Sequence, residues 1–134
     1  RAVLGALRRH QRSEDMAEAA CGALRNLSFN VANRIKIRRE GGVRAVLGAL
    51  GRHEWSEGIA EAVCAVLQNL SYEVENRITI TVGGVRAVLG ALRRHQRSED
   101  MAEAACGALR NLSFNVANRI KIRREGGVRA VLGA

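Results

Sequence analysis

Three asparagines at nearly equal spacing are the most distinctive polar residues of the chain. Asn26, Asn69 and Asn111 lie 43 and then 42 residues apart, each within a recurring phrase. The first and third copies read Ala-Cys-Gly-Ala-Leu-Arg-Asn-Leu-Ser, and the second reads Val-Cys-Ala-Val-Leu-Gln-Asn-Leu-Ser. A carboxamide carries a donor and an acceptor together, so hydrogen bonding is the chemistry that these residues repeat along the chain.

Charged and polar neighbours accompany each asparagine. The residue directly before it offers a guanidinium or a second carboxamide; these residues are Arg25, Gln68 and Arg110. A glutamate stands eight residues earlier, about two helical turns away; these are Glu18, Glu61 and Glu103. A guanidinium can pair a carboxylate in forked geometry. The glutamates can equally be solvated helix charges.

Other reactive side chains indicate no catalytic, metal or cofactor site. Cys21, Cys64 and Cys106 occupy one position of the repeated unit, with no second Cys or His at ligand spacing. Neighbouring helices lie ~8–10 Å apart, beyond the ~7 Å limit between the Cα atoms of a disulfide. We therefore expect three small buried residues, in a reducing intracellular compartment such as the cytoplasm or nucleus.

The remaining candidate groups have structural explanations. His10, His53 and His95 fall at the ends of predicted helices, where an imidazole can contact the helix dipole. No phosphate-cradling glycine loop and no cluster of Ser, His and acid is present. The apolar runs are far shorter than the ~20 residues that span a bilayer. The sequence therefore predicts neither an enzyme nor a membrane protein.

Positive charge is distributed unevenly along the chain. The net charge of +9 arises from +6 over residues 1–49, −3 over residues 50–85 and +6 over residues 86–134. This pattern indicates either a partner of alternating charge or favourable contacts between unlike neighbours. It also argues against one continuous basic track for nucleic acid.

The elements that carry these residues follow a helical period. The segment 1–10 places Val3, Leu4 and Leu7 on one stripe and predicts a middle helix. Ser13 is a good N-cap for a long helix of about 16 residues, which carries the asparagine phrase. The period divides the chain into units 1–43, 44–85 and 86–128 and a partial unit 129–134, within one array that spans 1–134.

A short segment follows each long helix. Its second copy is rich in β-branched residues from Ile78 to Val82 and is open to interpretation as a strand. We favour a short helix, because the rest of the chain offers no regular strand pairing. The pairs Gly41-Gly42, Gly83-Gly84 and Gly126-Gly127 then end it in a left-handed turn.

Comparison of the units separates core positions from surface positions. Met16, Ala20, Ala23 and Phe29 change only to other apolar residues in the second unit, so we expect them in the core. Most other changes remove positive charge and indicate solvent-facing positions. Trp55 falls in a loop, where we favour an anchor over a ligand platform.

The unit resembles the armadillo repeat. The resemblance covers essentially the whole chain and depends on the period, the glycine pair with Val-Arg-Ala-Val-Leu-Gly-Ala-Leu after it, and Ala-Leu-x-Asn-Leu-Ser at the end of the long helix. The related HEAT repeat has two helices and lacks that asparagine. The resemblance implies an all-α fold, a right-handed α-solenoid of about three three-helix repeats, with long helices along a concave groove.

In armadillo proteins that bind extended peptides, this asparagine grips the main chain of the ligand. The resemblance thus implies a peptide-binding groove at Asn26, Asn69 and Asn111, with the residues before them and the glutamates as further candidates. The alternative is that each asparagine caps a helix end or joins neighbouring repeats.

The chain also departs from the importin-like pattern. Gly22, Ala65 and Gly107 replace the tryptophan of those members, which removes their aromatic pockets for basic side chains. Arginines stand where the middle helix often carries a proline. An acidic extended peptide or protein therefore fits this surface better as a partner than a basic one.

Two further hypotheses remain open. Nucleic-acid binding follows from the pI near 11.1, but we expect no aromatic platform in register. Residues 1–49 and 86–134 are identical, which indicates recent duplication, excision or an engineered array without a native ligand. Uncapped ends would then expose Val3, Leu4, Val131 and Leu132 and stack head to tail.

Overall fold

The fold consists of packed helices. The computed structural model describes residues 2–81, 83–114 and 116–133, without the side chains of residues 116–118, 121 and 133. Within these residues there are ten α-helices and no strand. In chain order they are α1 (Ala2–Arg9), α2 (Glu14–Leu27), α3 (Val31–Arg39), α4 (Gly42–Arg52), α5 (Glu57–Leu70), α6 (Val74–Thr81), α7 (Gly84–Arg94), α8 (Glu99–Leu112), α9 (Val116–Arg124) and α10 (Gly127–Gly133).

The helices recur in the order middle, long, short. The middle helices are α1, α4, α7 and α10, the long helices are α2, α5 and α8, and the short helices are α3, α6 and α9. Long helices of successive units pack side by side, and so do their middle helices. The prediction of an all-α solenoid built from three-helix units is confirmed.

Serine caps define where the long helices begin. Ser13, Ser56 and Ser98 each accept a hydrogen bond from the amide three residues later at 3.1 Å. Each long helix spans 14 residues, slightly less than predicted. Ser28 ends α2 and donates its hydroxyl to the carbonyl of Arg25 at 2.7 Å. Each long helix thus lies between a serine at its N-cap and the last serine of the repeated phrase at its C-cap.

The short segments are helices, as predicted. Val74–Thr81 forms α6 despite its β-branched residues, and two of its threonines hydrogen-bond to the preceding turn of the helix. Thr79 donates its hydroxyl to the carbonyl of Glu75 at 3.1 Å, and Thr81 donates to that of Arg77 at 2.8 Å. Val82, the last residue of the alternative strand, lies outside the described residues.

The first glycine of each pair has the predicted left-handed backbone. Gly41, Gly83 and Gly126 have φ values of 80°, 83° and 78°. The second glycine lies against an isoleucine of the short helix: a Cβ atom on Gly84 would come within 2.5 Å of Ile80 Cγ2. Each pair therefore turns the chain and lets the next middle helix start at once.

The core runs through the units as one cluster, with α5 at its centre between α2 and α8. Ile59, Val63 and Leu67 of α5 are fully buried. Met16 is a correction to the predicted core, because it is 36% exposed whereas Met101, its identical counterpart, is fully buried. In this structure α2 packs against a long helix on one side only, so burial depends on the neighbouring unit.

Residues near the two ends differ from the prediction. Leu4 is buried at 2% exposure and Val3 is half-buried, so the expectation that α1 exposes both is wrong. Helix α1 packs against α2 and α4, which cover this stripe. Val131 and Leu132 are exposed, as predicted.

The cysteines are free thiols, and Cys21 and Cys64 are fully buried. Burial raises the pKa of the Cys21 thiol from its ordinary value of 9.0 to about 11. It raises the pKa of the Cys64 thiol to about 12. Cys106 is half-buried. The reducing compartment stays a prediction.

These pKa values predict a loss of stability at alkaline pH. Above pH 9.0, the unfolded chain loses thiol protons that the folded chain keeps until about pH 11 to 12. The free energy of unfolding should fall in that window by about 1.4 kcal/mol per pH unit for each thiol. Urea titrations across this range check it. The double variant Cys21→Ala/Cys64→Ala should show a shallower fall, and equal slopes would contradict the prediction.

Two glycines without close neighbours allow a matched test of the turn. No atom lies within 4 Å of a Cβ added at Gly83 or Gly90. Gly90→Ala, inside α7, should stabilise the fold by about 1 kcal/mol. Gly83→Ala should destabilise it by about 1–2 kcal/mol, because its φ is positive. Thermal unfolding measures both changes. A stabilising Gly83→Ala would show that the turn tolerates a side chain.

Candidate functional site

One side of the long helices stays accessible and forms a continuous surface, which we name the long-helix face. In α5 the accessible positions beyond the first turn are Glu61, Ala65 and Gln68, at spacings of four and three residues. This spacing defines one stripe of a helix whose other sides are buried. The face combines these positions with their counterparts in the other long helices: Glu18, Gly22, Arg25, Glu103, Gly107 and Arg110.

Side chains of the long-helix face extend over the long helix of the next unit. The Glu18 carboxylate covers Gly58, since a Cβ added there would be 2.7 Å from Glu18 Cδ. Gln68 covers Gly107 in the same way, since a Cβ added to Gly107 would be 2.5 Å from Gln68 Nε2. Small residues therefore give room to the polar side chains of the preceding unit.

Charge divides the face into two rows. Glu18, Glu61 and Glu103 form the acidic row, and Arg25, Gln68 and Arg110 form the basic row nearer the C-terminal ends of the helices. The rows meet where Arg25 Nη1 lies 4.0 Å from Glu61 Oε1. Arg110 is exposed and forms no ion pair among the described residues. All six predicted side chains therefore share one surface.

The asparagines are placed differently. Asn69 is only 9% exposed, and its Nδ2 donates to Ser28 Oγ at 2.9 Å and to the Arg25 carbonyl at 3.4 Å. Asn111 is 3% exposed, and its Nδ2 donates to the Gln68 carbonyl at 2.9 Å. Asn26 alone is exposed. Two of the three carboxamides thus join neighbouring units, the arrangement described by the alternative interpretation of the sequence.

Histidines make a second contact between units that the sequence analysis missed. His53 Nε2 lies 2.8 Å from the Gln11 carbonyl oxygen, and His95 Nε2 lies 3.0 Å from that of Glu54. Each histidine ends a middle helix, as predicted, but its ring reaches the loop of the preceding unit. The signal in the sequence is that histidine and loop recur with the same period.

Aromatic rings line the edge beside the basic row, and we name Phe29, Tyr72 and Phe114 the aromatic edge. Their exposed fractions are 69%, 54% and 69%. The expectation that Phe29 is a core residue is therefore wrong, because the ring follows the end of the long helix and stays exposed. The expectation of no exposed rings in register is also wrong.

Arginines of the short helices approach these rings. Arg34 lies 5.7 Å from the Tyr72 ring centroid, and Arg77 lies 5.7 Å from that of Phe114. The same guanidinium groups cap the preceding long helix, since Arg77 Nη1 donates to the Ser71 carbonyl at 3.0 Å. Each arginine thus links two units and leaves the outer side of a ring accessible.

A model of the family described as LRRK2 ARM repeat matches residues 1–123 of the chain. The chain belongs to the LRRK2 ARM repeat family. A search among curated proteins finds no significant match. ARM repeats form a non-catalytic scaffold fold that generally mediates protein interactions.

Four of the ion pairs in the described part of this ARM array join units of unlike charge. Among the described residues, Arg34 pairs with Glu73 at 3.2 Å and Arg38 pairs with Glu75 at 2.7 Å. Two further pairs, Arg25 with Glu61 and Arg94 with Glu54, also reach the acidic middle unit. The alternating charge of the sequence therefore serves contacts within the array.

Trp55 belongs to one of these contacts. Its ring is 77% exposed, and the Arg94 guanidinium lies 5.0 Å from its centroid. Arg94 Nη2 also lies 3.6 Å from Glu54 Oε2. The ring is tied to the next unit while it stays open to solvent, so it does not anchor its loop in the core.

Neither a metal cluster nor a membrane span is found in the described part of the array. No group of three or more His, Cys, Asp or Glu side chains among those residues is placed to hold a metal ion. Of the helices described, none combines the length and apolarity that a membrane span requires.

A matched pair of variants tests the role of the asparagines. Asn69→Ala should lower the free energy of unfolding by about 1–2 kcal/mol, because the hydrogen bonds to Ser28 and Arg25 are lost. Asn26→Ala should change it by less than about 0.5 kcal/mol, because Asn26 is exposed. Urea unfolding measures both. Equal effects would show that Asn69 does not hold the units together.

Proposed function

We propose that this ARM array is a protein-interaction scaffold that binds an extended acidic segment along the basic row. The observation that carries the proposal is the alignment of Arg25, Gln68 and Arg110 on one accessible stripe of three successive long helices. An extended chain can follow such a row and meet one polar side chain in each unit. The scaffold role itself is that of the family.

The arginines of the row support an acidic ligand. Arg110 has no carboxylate partner in the described part of the chain, and Arg25 has Glu61 only at 4.0 Å. Two guanidinium groups are therefore available to pair ligand carboxylates in forked geometry. Gln68 between them offers a donor and an acceptor to the ligand main chain.

The residues around the basic row further restrict which side chains a ligand segment should carry. Phe29, Tyr72 and Phe114 lie four residues beyond the members of the row and expose large apolar area, which supports aromatic or aliphatic side chains interleaved with the acids. The acidic row repels a negatively charged segment on the other side. We therefore expect the segment to lie between the basic row and the aromatic edge.

Charge reversal on matched arginines tests this proposal. The double variant Arg25→Glu/Arg110→Glu should weaken, by at least about tenfold, binding of a fluorescein-labelled peptide of about 12 residues that alternates Glu with Phe. The control Arg12→Glu/Arg97→Glu changes the net charge equally at exposed loop positions and should weaken binding less than about threefold. Fluorescence polarisation measures both affinities. Equal losses of affinity in the two double variants would show that only the net charge matters. If the unmodified chain does not bind the peptide, the hypothesis of an array without a ligand is favoured.

Single-stranded nucleic acid is a second candidate, favoured by the exposed rings in register. Each base can stack on an aromatic ring, which contributes about 1–3 kcal/mol per base. A labelled oligothymidine of about 12 nucleotides, titrated at several salt concentrations, separates the candidates. Tighter binding than the peptide, lost in Phe29→Ala/Phe114→Ala, would overturn the peptide proposal.

Head-to-tail stacking of chains stays a separate prediction. Light scattering over a range of protein concentrations checks it, and it also establishes the species present in the binding assays. A monomer at every concentration would contradict stacking and leave the peptide proposal intact.

A further inference from the structure

A cavity of about 960 Å³ opens between the first two units, away from the long-helix face. Its walls come from the middle helices α1 and α4, from the short helices α3 and α6 and from the adjoining loops, and no long-helix residue lines it. This volume falls within the range of about 300–1,000 Å³ that is typical of small-molecule sites.

Four arginines and no acidic residue line this cavity: Arg8, Arg38, Arg44 and Arg52. Arg8 Nη2 donates to the Glu40 carbonyl at 2.8 Å, which leaves its charge unbalanced. Arg44 and Arg52 form no ion pair with any described residue. Only Arg38 is paired, with Glu75 at 2.7 Å. The cavity thus concentrates positive charge that the protein does not neutralise.

The counterpart of Arg44 in the next unit has a carboxylate partner that Arg44 lacks. Arg86 occupies the same place in α7, and both its Nε and its Nη2 donate to the Glu125 carboxylate, at 3.3 and 3.2 Å. That carboxylate raises the pKa of Arg86 through the hydrogen bonds and its charge. The segment that would supply the acid for Arg44 reads Thr81-Val82-Gly83, so the sequence has removed it.

Arg38, which also lines the cavity, has an incomplete set of hydrogen bonds. Its Nε is buried and has no hydrogen-bond acceptor, although Nη2 is paired. A buried donor without a partner is unfavourable, because the desolvated N–H gains nothing in return.

We propose that this cavity binds a small organic phosphate that carries two or more phosphoryl groups. Each phosphoryl group brings a charge of about −1.5 to −2 and three acceptor oxygens, which suits several unneutralised guanidinium forks better than a single carboxylate does. Leu7, Val43 and Leu47 give the cavity an apolar wall for the organic part. The proposal is independent of the peptide proposal, since it uses other residues.

Isothermal titration with tripolyphosphate and with ATP, at low salt, tests the site on the whole chain. We expect at least one of them to bind with micromolar affinity, and Arg44→Gln and Arg38→Gln to weaken it by at least about tenfold. The matched control is Arg86→Gln, which removes the same charge from the same local sequence and should leave the affinity unchanged.

Three results would overturn the proposal. They are no binding of either probe, equal weakening by Arg86→Gln and Arg44→Gln, and binding of citrate as tight as that of the phosphates. Thermal unfolding of each variant without ligand keeps the comparison valid, because Arg44 is exposed and its replacement should not disturb the fold. Arg25→Glu/Arg110→Glu should retain phosphate binding, which separates this site from the peptide surface.

Discussion

The array depends on the burial of the long helix α5 between its two neighbours. Ile59, Val63, Leu67 and Leu70 are all fully buried, on a helix that has accessible residues on only one stripe. A unit of about 42 residues is too small to enclose such a helix alone, so its stability comes from interfaces between units. Met16 and Met101 show this directly: the residues are identical, but only the second is covered.

Polar contacts then fix how the apolar surfaces align. Asn69 and His53 bond to a hydroxyl and a carbonyl group of the preceding unit, and Arg34 bonds to the Glu73 carboxylate of the following one, so all three act at the first junction. Each bond contributes only about 1 kcal/mol net, but an unmade bond would leave a buried polar group without a partner. Such contacts select one register between units, and the same side chains are no longer available to a ligand.

The surface that remains is divided by charge. The acidic middle unit neutralises arginines of both neighbours through ion pairs, and the net charge of +9 is the positive charge for which the chain has no acid. Arginines with a weak carboxylate partner or none lie on both proposed ligand surfaces, Arg25 and Arg110 on the long-helix face and Arg44 beside the middle helices. The two proposed ligands correspond to these two places, because a carboxylate or phosphate is attracted where the protein supplies no acid of its own.

The sequence alone determined the helices, their order, the left-handed glycine turns and the serine caps, because each depends on residues only a few positions apart. It also determined which residues share the long-helix face, since the helical period fixes the spacing. It did not determine that Asn69 is buried while Asn26 is exposed, or that Phe29 leaves the core. Residues 1–49 and 86–134 are identical, yet their side chains differ in burial and partners. Only the tertiary structure decided those differences, because a side chain in a stacked array is covered or exposed by the unit beside it.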